Sequence, residues 1–106
     1  MPNNKVLTLL GFASKAGKLD FGSAKTLESI NKNRAKLVAY ATDLSEKSKK
    51  EILFFAHNKN IKVIDLEDVT IEQLSIAVGR KCGVLAVNDN GFADSISNIG
   101  GYANDK

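Results

Sequence analysis

Three lysines, Lys15, Lys18 and Lys25, stand in the stretch GFASKAGKLDFGSAKT (residues 11–26) among glycines, alanines and serines, with Asp20 as the only acid. Small residues let another molecule's backbone come close, and uncompensated ammonium groups attract anions. This combination suits the holding of phosphate better than the making of bonds.

Bond-making chemistry needs a constellation that the chain does not spell out. His57 is the only histidine and Cys82 the only cysteine, and nothing flanking them signals a nucleophile pair. His57 falls near a helix end, where it complements the dipole. Cys82, between Lys81 and Gly83, reads as a loop or strand-edge residue whose pKa an adjacent lysine would lower. One imidazole and one thiol cannot close a typical zinc site, so neither metal nor other cofactor is expected. GFASKAGK approaches a nucleotide-binding loop, but Leu19 follows Lys18 where Ser or Thr is required, and no strand precedes it. Asp43 ends an apolar run and reads as a cap or turn residue. No catalytic residue is assigned, and a non-enzyme is expected.

At 106 residues and 43% hydrophobic content, the chain suffices for one domain, residues 1–106, with a core of its own. No stretch has the pattern of a signal peptide or the roughly 18 apolar residues of a membrane span. A cytoplasmic protein without a membrane partner is expected, and nothing demands more than a monomer. The net charge of +3 is unevenly spread: residues 1–36 hold seven basic and two acidic side chains, residues 61–106 four basic and seven acidic. Such asymmetry favours a polyanionic partner over a solvated lysine surface only modestly.

The elements that would position these lysines alternate, and no internal repeat is visible. NNKVLTLLGFASKAG predicts a helix stopped at Gly17, and KLDF a short strand. GSAKTLESINKN predicts a helix that starts at Gly22 and Ser23, turns Ala24, Leu27 and Ile30 inward, and lines its outer face with Lys25, Ser29 and Lys32. AKLVAYAT reads as a strand covered on both faces. A further helix has Asp43 and Ser45 as rival caps and Ile52, Phe55 and Ala56 as its buried stripe. IKVIDL is a strand, TIEQLSIAVG a helix with a Thr70–Gln73 capping box and a Gly79 stop, and GVLAVND the fourth strand. NDNG reads as a turn, FADSISNI as a final helix, and residues 100–106 as a frayed tail. Phe12 and Phe21 have core-like spacing. The predicted fold is a three-layer α/β/α sandwich, about four strands in a mixed sheet with about five helices.

With the elements in this order, GFASKAGKLDFG, AKLVAYATDLSEKSKK, AVGRKCGVLAVND and GFADSI together resemble the ribosomal protein L7Ae family, closest to its bacterial YlxQ-like branch. The resemblance runs from about Val6 to Ile96. It implies a compact sandwich that binds structured RNA, in many relatives the kink-turn, with ribosomal RNA and ribosome-associated proteins as expected partners. The surface it implies comprises residues 18–26 and 79–83. The RNA-binding candidates are Lys15, Lys18, Gly22, Ser23, Ala24, Lys25, Thr26, Glu28, Arg80, Lys81 and Cys82. Physical chemistry supports the same places, because a helix start offers free amides and a positive dipole end, while nearby lysines and Arg80 add charge.

The resemblance also has a departure. Kink-turn binders of the family usually carry Asn-Glu just after the small residue at this helix start and a Lys a turn later, where this chain has Ala24, Lys25 and Glu28. Alanine offers neither donor nor acceptor to a base edge, whereas an added lysine strengthens backbone attraction. RNA binding with altered specificity is therefore expected, the alternative being a protein-interaction module on the same fold.

Overall fold

A computed structural model describes residues 3–99, and along them run α1 (Asn3–Lys15), β1 (Leu19–Phe21), α2 (Gly22–Asn31), β2 (Leu37–Ala41), α3 (Glu46–Asn58), β3 (Lys62–Leu66), α4 (Ile71–Val78), β4 (Val84–Val87) and α5 (Asn90–Ser97). This is the alternation expected from the sequence. The tail read as frayed, residues 100–106, lies outside the described residues.

The run Leu37–Ala41 is buried at every position because β2 is a central strand. It pairs parallel with β3, Leu37 opposite Lys62, and antiparallel with β4, Tyr40 opposite Val84. β4 pairs antiparallel with β1 on its other side, so the order is β1-β4-β2-β3 and the sheet is mixed, as expected. Alternate β2 residues serve opposite cores. Leu37, Ala39 and Ala41 pack with Val6, Leu10, Leu74 and Ile96 of α1, α4 and α5. Val38 and Tyr40 pack with Ile30, Ile52 and Ala56 of α2 and α3. Each fully buried leucine or isoleucine adds about 1.5–3 kcal/mol to these two layers.

The helix starts are set by side chains. Ser45 prevails over Asp43 as the α3 cap, accepting from Ser48 N–H at 3.2 Å, while Asp43 accepts from Ile71 N–H at 2.7 Å and ties the β2–α3 loop to α4. The Thr70–Gln73 capping box forms, and Gly79 ends α4 at φ 76°. Asp89 caps α5 by accepting from Phe92 N–H at 2.9 Å, so NDNG opens the helix rather than preceding it as a separate turn. A carboxylate aimed at free amides extends the helix to Asn90.

Two readings of which side faces inward are corrected. On α2, Ser29 is fully buried and Ala24 exposed, the reverse of the expected arrangement. The inward stripe is Thr26, Ser29 and Ile30, whose hydroxyl members read as polar in a hydropathy pattern. Phe12, expected in the core, is 54% exposed on α1, because Val6, Leu10 and Ala13 fill that helix's inward face.

Neither Thr26 Oγ1 nor Ser29 Oγ has a hydrogen-bond partner. An unpaired buried hydroxyl costs about 1–3 kcal/mol, and valine has threonine's shape without that cost. Thr26→Val is therefore expected to raise the unfolding free energy by about 1 kcal/mol in denaturant titrations; a decrease would mean that the hydroxyl is satisfied.

Candidate nucleic-acid interface

Because β1 runs antiparallel to β4 with Phe21 opposite Leu85, the β1–α2 junction lies beside the loop 79–83 that leads into β4. The two segments touch: the Arg80 guanidinium carbon stands 5.1 Å from the centroid of the Phe21 ring. That is cation–π range, and it holds a flexible cation over the start of α2. The chain enters α2 through Gly22 at φ 89°, with nothing within 4 Å of where a Cβ would lie. Glycine is therefore required by the turn and not by crowding, and the helix start is left uncovered.

Helix α2 differs electrically from its neighbours. α3, α4 and α5 are capped by Ser45, Thr70 and Asp89, whereas Phe21 at the α2 cap position accepts no hydrogen bond through its side chain. Acids occupy the first turns of α3 (Glu46) and α4 (Glu72), but none that of α2. The first amides of α2 and its positive dipole end are thus available to an anion. Ala24 and Lys25 are exposed beside them and Ser23 is half-buried.

Two serines hold the facing loop. Ser75 Oγ accepts from Cys82 N–H at 3.0 Å and donates to Ile71 O at 2.7 Å, and Ser14 Oγ donates to Val78 O at 2.7 Å, fastening the end of α4 to α1. Arg80 and Lys81 project from this clamp and are exposed. They line an open groove of about 670 Å³ together with Asp43 of the β2–α3 loop and with Glu72 and Ile76 of α4. Among the described residues no group of His, Cys, Asp and Glu could hold a metal ion, and no helix is long and apolar enough to cross a membrane.

The sequence candidates divide. Gly22, Ser23, Ala24, Lys25, Arg80 and Lys81 border one face, whereas Lys15, exposed in the last turn of α1, lines a separate groove with Phe12 and Ala77. Lys18 lies elsewhere. Its carbonyl accepts from Asn88 N–H at 2.9 Å at the opposite end of β1, roughly 10 Å from Phe21 at strand rise. Thr26 is fully buried, and Cys82 is buried too, so neither side chain meets solvent. Glu28 binds Lys32 at 2.9 Å, and this bond, with the Lys32 and Lys25 charges, holds its carboxyl below the usual carboxylate range. Glu28 therefore pairs with Lys32, while Lys25, exposed on the same helix, makes no ion pair within contact distance among the described residues. The sequence reading missed Phe21 as a platform and Ser14 and Ser75 as clamps. Serine-to-carbonyl bonds between distant residues leave no periodic trace, and Phe21 carried only its apolar signal.

Fold and face together define an α/β/α sandwich that offers anions a helix start and a clamped cationic loop. The chain belongs to the ribosomal protein L7Ae/L30e/S12e/Gadd45 family, whose family model matches residues 4–97. A relative from Enterococcus faecium described as RNA-binding protein YlxQ is 33% identical over 90 residues, covering 84% of each chain. Among solved structures, a protein of unknown function from Bacillus halodurans C superposes with a TM-score of 0.82 at 26% identity, over 88% of this chain and 93% of that one. The Giardia lamblia 15.5kD RNA binding protein superposes with a TM-score of 0.77 over 92% and 83% of the two chains; at 14% identity it speaks to the fold alone.

Burial pushes the Cys82 thiol up to about 11 against the opposing charge of Arg80, which corrects the expectation that a neighbouring lysine lowers it. The folded state thus keeps a proton that the unfolded thiol, at 9.0, gives up: any stability linked to it is intact below pH 9.0 and is lost as pH climbs toward about 11. Alkylation by iodoacetamide in the native state is expected to be about a hundredfold slower than for a cysteine of ordinary pKa; equal rates would place the thiol at the surface.

Proposed function

We propose that this chain binds structured RNA, kink-turn-like or ribosomal, without catalysing a reaction, and that it does so in association with the ribosome. The observation that carries this reading is the convergence of Arg80 and Phe21 on the uncapped start of α2. Free amides and the dipole meet one phosphate there, and Lys25, Arg80 and Lys81 surround it with charge. The family, and the RNA-binding description of its YlxQ relative, support RNA as the polyanion.

The same residues set how specific that binding is. Ala24 and Lys25 stand at the positions where kink-turn binders of the family usually carry Asn and Glu. Each lost base-edge contact lowers discrimination by about 1–3 kcal/mol, while the added lysine favours backbone attraction. Phosphate-led binding with relaxed sequence preference follows.

Lys25→Glu combined with Arg80→Glu is expected to weaken binding to a kink-turn RNA by at least about tenfold and to reduce the dependence of log affinity on log salt by about one per removed phosphate contact. Circular dichroism should show the fold unchanged. Unaltered affinity in a folded variant would remove this face from RNA binding. It would favour the second reading, a protein partner docked on the packed helices α1 and α4, where Phe12 and Ile76 are 54% and 75% exposed.

A further inference from the structure

Three helices end at the sheet edge opposite the Arg80–Phe21 contact, and all three end in the same way. After α1, Gly17 N–H donates to Ser14 O and Lys18 N–H to Ala13 O; after α2, Asn33 N–H donates to Ile30 O and Arg34 N–H to Ser29 O; after α3, Asn60 N–H donates to His57 O and Ile61 N–H to Ala56 O. The turning residue is left-handed each time, Gly17 at φ 74°, Asn33 at 63° and Asn60 at 59°. This is the doubly bonded helix stop that glycine and asparagine favour.

Each stop delivers a lysine to the start of the next strand. Lys18 directly precedes β1, Lys36 directly precedes β2, and Lys62 is the first residue of β3. Lys36 N–H donates to Val87 O at 2.7 Å and Lys18 O accepts from Asn88 N–H, so these two flank the end of β4, while Lys62 stands opposite Leu37. The three positions form a row across the sheet edge. Beside it, between the starts of β2 and β3 and the helix α5, a polar groove of about 690 Å³ is lined by Lys36, Lys59, Lys62, Asn60 and Asn98, with Asp94 as its one acid among the described residues.

Helix C-termini carry partial negative charge, and some of the local cations answer to that or to nearby side chains. Lys32 is held by Glu28, Lys59 Nζ donates to Asn33 Oδ1 at 3.1 Å, and Arg34 lies 3.9 Å from Asp20. Lys36 and Lys62 stand past the stops, and among the described residues neither ammonium has an ion-pair or hydrogen-bond partner. We propose that this edge is a second RNA contact: Lys36 and Lys62 hold a phosphodiester backbone and the Asn60 and Asn98 amides reach its oxygens, so that one copy of the chain bridges two RNA segments across its sheet. The ligand class rests on the RNA reading of the first face; the location does not.

The test uses the full chain with one biotinylated and one fluorescent structured RNA. Wild-type protein held on the biotinylated RNA is expected to capture the fluorescent one, and native mass spectrometry to count two RNAs per protein. Lys36→Glu with Lys62→Glu is expected to weaken capture by about tenfold while binding to a single RNA stays within about twofold. Lys36→Gln with Lys62→Gln, milder for folding, is expected to shift capture in the same direction. Lys25→Glu with Arg80→Glu reports separately on the first face. One RNA per wild-type protein, displaced by that pair, would overturn the second contact and leave the first standing; no RNA binding by wild type would overturn both. Capture unchanged by Lys36→Glu with Lys62→Glu, or poly-glutamate held at this edge in place of RNA, would also overturn the proposal.

Discussion

Three residue pairs between β1 and β4 hold the candidate face together. β1 is three residues long and sits at the sheet edge, yet its antiparallel register decides that Phe21 emerges beside the loop entering β4. A parallel strand here would carry the start of α2 to the far end of the sheet, away from Arg80. The face is therefore a product of strand direction, reinforced by burial of Leu19 at one end of β1 and by the Arg80 contact at the other.

Helix direction then sorts charge between the two ends of the sheet. α2 and α3 start at the edge where the β1–α2 junction lies and stop at the other, so their dipoles make the first edge intrinsically positive and the second negative. At the first edge, Glu46 and Glu72 occupy the positive ends of α3 and α4, whereas the start of α2 has neither a first-turn acid nor a side-chain cap. Lys25, Arg80 and the dipole then act with the same sign on one spot. At the opposite edge the lysines must first outweigh three helix ends, which is why only the side chains beyond the stops remain available.

Much of the fold was legible in the sequence because its signals are local. The Gly17 and Gly79 stops, the Thr70–Gln73 box and the doubly buried run 37–41 each depend on neighbouring residues, and all form as read. The face of α2 was misread because Thr26 and Ser29 are polar by type and buried by position. The repeated helix stop escaped notice because its turning residue is glycine once and asparagine twice, with uneven spacing to the lysine that follows. In the candidate site, Gly22, Lys25 and Arg80 were visible as residue types. That Lys18 stands apart from them, that Cys82 points inward and that Phe21 supports Arg80 all follow from β1–β4 pairing, which no local pattern encodes.

The most direct measurement is a map of backbone amide chemical shifts of the isotope-labelled protein as structured RNA is added. The largest changes are expected in residues 22–25 and 79–83, where free amides, dipole and guanidinium converge. Shifts that leave both segments unmoved while RNA is bound would contradict a binding face built on the α2 start and the α4–β4 loop.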